Sequence, residues 1–302
     1  MSEKTGHPRE IAADMAAAVR LEKWHIFWTF TYIAALGLAM GSSQAMRTAW
    51  IEDLLGLIPP VAFLIGERFE RRPRDSRFHY GYDRVNGLGF LVAAVALGAA
   101  GLFLLKDAVT ALLAQERVTI GTVRLLGHDI WLGWFMLAAQ AYACIPPLII
   151  GRKELALAHK LRDKLLHTDA LMNKANWQTG VAGLLGVAGL GMGLWWADAV
   201  AAILISFSII LDGARAMKKA AGELADGAPR ELGGDGISDE AVALANTLKM
   251  LHPEADRIAL RETGRFLRAE VVGAAPGSHW DRERFVCDGC PNWRVDSVSF
   301  RP

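Results

Sequence analysis

The stretch Leu165–Asp226 restricts what this chain can fold into more than any other. Two apolar runs, Ala175–Leu194 and Ala199–Leu211, flank a short Trp-Trp-Ala-Asp break. A hydrocarbon core of about 30 Å takes about 20 helical residues, so each run approaches the length of a membrane span. Asn173, Lys174, Asn176 and Gln178 lie near the start of the first run. Polar side chains at membrane depth are costly, so they face a bundle interior or a water-filled cavity. Arg215, Lys218 and Lys219 close the stretch, and a more polar composition follows.

Four further apolar blocks precede it: Trp24–Met46, Thr48–Ile65, Gly87–Leu105 and Ile130–Ile150. Blocks this long and this uniformly apolar do not suit amphipathic surface helices. The chain therefore reads as a polytopic α-helical membrane protein with six transmembrane helices. Residues 8–23 read as a short amphipathic helix or solvated lead-in, and Trp24 and Trp28 suit an interfacial belt. No early apolar core marks a signal peptide. Arginines and lysines crowd the 2–3 loop, the 4–5 loop and the end of span six, whereas the 1–2 and 5–6 connections hold Arg47 and no basic residue. The positive-inside rule then places both termini in the cytoplasm, which agrees with an even number of spans. A formal net charge of +1 argues against a nucleic-acid partner. Three cysteines make no disulfide framework. No phosphate loop or nucleophile constellation points to an enzyme.

After Gly227 the periodicity changes. Ser238–Leu251 reads as a helix capped by Ser238, with Ala241, Leu244, Leu248 and Leu251 on one face. Arg257–Glu262 and Phe266–Val272 read as strands joined at Thr263-Gly264-Arg265, Asp281–Val286 as a short helix and Trp293–Phe300 as a last strand. The domains are thus residues 1–23, 24–226 and 227–302, the last a cytoplasmic α+β unit. Spans two and four share an echo, IPPVAFLIGER and IPPLIIGRK. Proline removes a helical hydrogen bond and frees the carbonyl four residues back, here those of Leu55 and Gly56 in span two.

On these pieces the chain resembles the cation diffusion facilitator family. The similar segments are PRDSRFHYGYDR at Pro73–Arg84, WADAVAAILISFSIIL before span six ends, ELADGAP at Glu223–Pro229 and ALRETGRFLRAEVV at Ala259–Val272. The resemblance implies six spans and a metallochaperone-like cytoplasmic domain. It also implies a homodimer in the cytoplasmic (inner) membrane that exports a divalent cation such as Zn²⁺, Mn²⁺, Fe²⁺, Co²⁺ or Mg²⁺ in exchange for protons. The ion is cargo, and no resident cofactor is implied.

The family's ion site pairs two ligands four apart on span two with two on span five, and i,i+4 spacing puts each pair on one helical face. Carried onto this chain, the pairs fall at Glu52 and Gly56 and at Met172 and Asn176. Only Glu52 keeps an ionisable ligand. One reading remodels the site from Glu52, Asp53, the Asn176 amide and the Gly56 carbonyl freed by Pro60, a set suited to a hard cation. The other leaves it inactive, with Lys174 neutralising Glu52 or Asp53, and makes the chain a membrane scaffold or metal-responsive partner. Secondary metal candidates are Asp75 with His79 in the 2–3 loop, and Cys287 with Cys290 in the tail, where His279 is the local third ligand. A structural zinc needs four ligands, so two nearby surface cysteines of no special role are the default for that pair. Asp198 reads as a helix-terminus carboxylate, Asp212 as a partner of Arg215, and His167 and Asp169 as a cap and a solvated residue or an ion port.

Overall fold

The computed structural model describes residues 11–302 except 74, 116–119, 126–127, 235, 276–278 and 282–284, and the side chains at 86, 93, 125 and 174–178. Long helices fill its first three quarters: α1 (Ala12–Ala39), α2 (Gln44–Leu55), α3 (Ile58–Glu70), α4 (Val85–Leu113), α5 (Leu132–Leu161), α6 (Lys164–Gly191) and α7 (Ala197–Leu224). Among the described residues, Gln44–Glu70, Gly87–Leu113, Leu132–Leu161 and Ala197–Leu224 are long and apolar enough to cross a membrane. Helices α1 and α6 match them in length at 28 residues each, but carry more polar groups. The bundle is apolar on its outside: Trp24, Phe30, Leu38, Val92, Phe103, Leu185 and Phe207 are all exposed. A belt of that kind suits lipid, where helices satisfy every backbone polar group internally.

Several element boundaries differ from the sequence expectation, each for a local reason. The surface helix at 8–23 and the first span are one helix over the described residues. It stops at Ala39, not Met46, because Gly41 takes a φ of +51° and Ser43 starts a new helix by accepting from the Met46 N–H at 3.1 Å. The second span is broken into α2 and α3 at Gly56-Leu57. Pro59 and Pro60 carry no N–H to continue α2 but fit the first turn of α3, where no intrahelical donor is needed. Pro146 and Pro147 lie inside an uninterrupted α5, so the echo in sequence gives two different outcomes. The polar segment after span three extends α4 to Leu113 and then forms an antiparallel hairpin, β1 (Thr122–Leu125) with β2 (His128–Trp131). Helices α4 and α7 approach closely enough that a Cβ on Gly213 would lie 2.7 Å from the Gly98 nitrogen, the close backbone approach that small residues allow.

The C-terminal unit packs α8 (Asp239–Leu251) on a sheet of order β3 (Arg257–Thr263), β4 (Phe266–Val272), β5 (Val295–Arg301). Strands β3 and β4 are antiparallel, and β4 and β5 parallel. Ser238 caps α8, and Ala241, Leu244 and Leu248 are buried while Leu251 is exposed. Of the expected helix Asp281–Val286, residues 282–284 lie outside the described residues. The β3–β4 turn docks on the helical bundle. Glycine suits position 264, where φ is +59° and an added Cβ would lie 3.0 Å from the Asp83 carbonyl oxygen. Buried Arg265 reaches Asp163 at 3.0 Å and Glu70 at 3.1 Å. Arg268 pairs with Asp83 at 3.2 Å and Asp296 at 3.0 Å. Arg294 pairs with Glu262 at 2.7 Å and with Glu240, and Lys164 reaches Glu262 from the bundle side. Phe266 and Trp293 join Met15, Phe63, Phe90 and Leu165 in one apolar core across the same junction.

Candidate metal centre

The helix break at Gly56 opens a small cavity of about 20 Å³ among α2, α4, α6 and α7. That volume is about what one water-sized probe needs. Glu52, Gly56 and Met172, three of the four positions matching the family pairs, line it together. Asn173, Asp169 and Asp212 share its wall. Asp53, one residue from Glu52, is half-buried and does not line the cavity. The side chains of Asn176 and Lys174 lie outside the described residues, so the fourth position and the ion pair with Lys174 have no structural account. Asp212 bonds Arg215 at 2.9 Å, the pairing its spacing suggested.

Asp169 is neither a cap nor solvated. Asp163 caps α6 instead, accepting from the Leu166 N–H at 2.9 Å. Asp169 is 3% exposed and turns toward α1 and α5. There it meets Glu22, His25 and Glu154, whose exposures are 0%, 2% and 0%. One ligand atom from each of the four lies within 4.8 Å of the others. His25 Nδ1 is 3.0 Å from Glu154 Oε1, 3.4 Å from Asp169 Oδ2 and 3.7 Å from Glu22 Oε2. The ring is not aligned on any one of these contacts: His25 Nδ1, both Glu22 oxygens, Glu154 Oε1 and Asp169 Oδ2 stand without a well-aligned hydrogen bond. Asn173 donates to the remaining Glu154 oxygen at 2.9 Å and so fixes that carboxylate.

The other expected sites are differently placed. Asp75 is exposed and accepts from its own loop, from Tyr82 Oη and from the Phe78 and Arg77 N–H groups at 2.7 and 2.8 Å. Those bonds, Tyr82 first, hold its carboxyl below the usual range. His79 is exposed beside it. Cys287 and Cys290 are buried free thiols within the apolar core of the C-terminal unit, while His279 is exposed. Among the described residues, no third ligand completes a group with them. Burial, and then the neighbouring Cys287, pushes the Cys290 thiol up to about 12. Asp198, in the first turn of α7, does serve a helix terminus, but chiefly that of α2: it accepts from Ser43 Oγ and the Gln44 N–H.

Sequence reasoning passed over Glu22, His25 and Glu154. The signal was there as Glu22-Lys23-Trp24-His25, whose i,i+3 spacing places an acid and an imidazole on one helical face. Assigning 8–23 to a lead-in and Gly151–Lys164 to a loop put Glu22 and Glu154 outside the bundle and left His25, within the first span, without them. The helices actually run through both segments.

A helical bundle that is apolar outside and buries carboxylates around a small cavity defines a membrane protein built to handle cations. Residues 26–225 match the cation efflux transmembrane domain, and the chain belongs to that family. It is 24% identical over 201 residues to the manganese efflux system protein MneS of Bacillus subtilis (strain 168), covering 66% of this chain and 65% of that protein. It is 27% identical over 211 residues to the uncharacterized transporter YdbO of the same organism, covering 68% and 69%. The match to MneS thus spans slightly less than two thirds of its length.

Proposed function

We propose that this chain exports a divalent metal cation across the cytoplasmic membrane, with Glu52 as the central ligand. The observation that carries this is the cavity at the Gly56 break, where Glu52, Gly56 and Met172 converge within a cation efflux domain. In this reading α1, α2 with α3, α4, α5, α6 and α7 are six spans. The division falls after residues 23 and 226, both termini are cytoplasmic, and the C-terminal unit, metallochaperone-like, pairs two copies. Gly56 contributes its carbonyl and no side chain, Met172 its thioether and Asn176 its amide. Burial raises the proton affinity of a carboxylate and a bound cation lowers it, so Glu52 exchanges a cation for a proton and couples export to the proton gradient. Similarity to a manganese efflux protein makes Mn²⁺ the first cation to try.

The test is flux in proteoliposomes with an imposed pH gradient, for wild type and Glu52→Gln, across Mn²⁺, Zn²⁺, Fe²⁺, Co²⁺ and Mg²⁺. Flux of one ion that vanishes in the variant is the expected result. Absence of flux for every ion, in folded protein, selects the scaffold reading, which the missing side-chain ligand at Gly56 favours.

A further inference from the structure

We infer that Glu22, His25, Glu154 and Asp169 form a second cation site, adjoining the Glu52 cavity and built to take a first-row divalent metal ion. Glu22, His25 and Glu154 come from α1 and α5, the first and fourth spans, which carry neither of the family's ligand pairs, and Asp169 comes from α6, one turn before Met172.

The geometry is that of ligands around an ion. Donors held about 2.0–2.2 Å from a metal lie about 2.8–3.6 Å from one another; His25 Nδ1 stands 3.0 Å from Glu154 and 3.4 Å from Asp169, within that range, and 3.7 Å from Glu22, just beyond it. A hydrogen-bonded cluster of the same residues would aim N–H groups at oxygens. Here the ring nitrogen and the facing oxygens converge without one well-aligned bond of that kind. Each of the four side chains is nearly inaccessible. Charge points the same way. Three carboxylates face one imidazole, and among the described residues no lysine or arginine pairs with any of them. A divalent ion offsets what one imidazolium cannot, and uncompensated buried charge is costly.

The donor set, three carboxylate oxygens and one imidazole nitrogen, suits Mn²⁺, Fe²⁺ or Zn²⁺ better than Ca²⁺, which takes oxygens. Asn173 orients Glu154 from behind at 2.9 Å, the supporting bond that metal-binding carboxylates usually have. Asp169 and Asn173 also line the Glu52 cavity, so the cluster and the cavity share a wall. An ion at the cluster therefore sits next to the proposed transport position, with Asp169 between them. Binding here does not depend on Glu52 carrying flux.

The experiment titrates Mn²⁺ into full-length protein in lipid nanodiscs, reads the bound ion by EPR and looks for nitrogen coupling by pulsed methods. Wild type is expected to bind Mn²⁺ with coupling to one imidazole nitrogen. His25→Gln should abolish that coupling and weaken this site about tenfold or more, a loss of about 1.4 kcal/mol. Glu22→Gln should weaken it while retaining the coupling, and Glu52→Gln should leave the coupling unchanged. Co²⁺, read by its visible spectrum, repeats the series for a Zn²⁺-like ion. Nitrogen coupling that persists in His25→Gln overturns the site. So does wild-type protein that binds neither Mn²⁺ nor Co²⁺, which would leave the cluster as carboxylates sharing protons. Should His25→Gln fail to fold, unchanged affinity in Glu22→Gln overturns the site equally.

Discussion

The molecule buries charge in two places, and they are opposite in kind. At the junction between the helices and the sheet, Arg265, Arg268, Arg294 and Lys164 each sit against carboxylates. Within the bundle, Glu22, Glu154 and Asp169 sit against a single histidine. Both regions exclude water to a similar degree. The difference lies in who supplies the positive charge. The junction carries its own, so its carboxylates hold the two parts of the chain together. The cluster does not, and the ion that completes it comes from outside. Buried acid alone is thus no sign of function. Buried acid with its counter-charge missing is.

Substitutions should separate the two regions by sign as well as size. Arg265→Ala leaves Asp163 and Glu70 buried without their cation, and breaking such a pair costs about 3–5 kcal/mol. Denaturant unfolding and faster proteolysis at the C-terminal unit would register it, and a loss below about 1 kcal/mol would break the contrast. Neutralising the cluster should act in the other direction. Without metal, Asp169→Asn or Glu22→Gln relieves repulsion among buried carboxylates and leaves stability equal or higher. With Mn²⁺ at about a hundred times its Kd, wild type should gain about 2.7 kcal/mol and the variants much less. Thermal unfolding in nanodiscs with and without Mn²⁺ measures both.

Asp198 lies between these extremes, a buried carboxylate satisfied by donors and not by a cation. Asp198→Ala removes the bonds to Ser43 and Gln44 and should cost about 1–2 kcal/mol, the range for a lost helix cap, with no change in Mn²⁺ dependence. The thiol pair is the mildest case. With Cys290 held up near 12 by burial, its thiolate is scarce at pH 8. Iodoacetamide should label it slowly in folded protein, and Zn²⁺ should not alter that rate. A thiol raised from its ordinary 9.0 lends stability that is complete below that value and is lost as pH climbs from about 9 toward 12. Rapid labelling at pH 8 would place the pair among reactive thiols instead.

The apolar blocks, the capped α8 and the β3–β4 hairpin were legible in sequence because each rests on a local rule: span length, helical spacing or a glycine turn. The junction was not, because Arg265 and Asp163 are a hundred residues apart and nothing in either segment names the other. The cavity at Glu52 was half legible. Pro59 and Pro60 announced a break near Gly56, but not that Asp169, Asn173 and Asp212 would close around it. The four-ligand cluster was lost to segment boundaries. Glu22 was placed before the first span and Glu154 after the fourth, so the partners of His25 were assigned to solvent. A rule that scores each block for apolarity trims off the polar ends that a long helix carries inward.

The most direct test is the position of bound metal. A crystal or single-crystal soak of the full chain in Mn²⁺, with anomalous scattering collected at the manganese edge, locates the ion without reference to flux. The account predicts density enclosed by Glu22, His25, Glu154 and Asp169 and none at the Arg265 junction. Manganese absent from the cluster, with those side chains ordered and hydrogen-bonded to one another or to water, would contradict it.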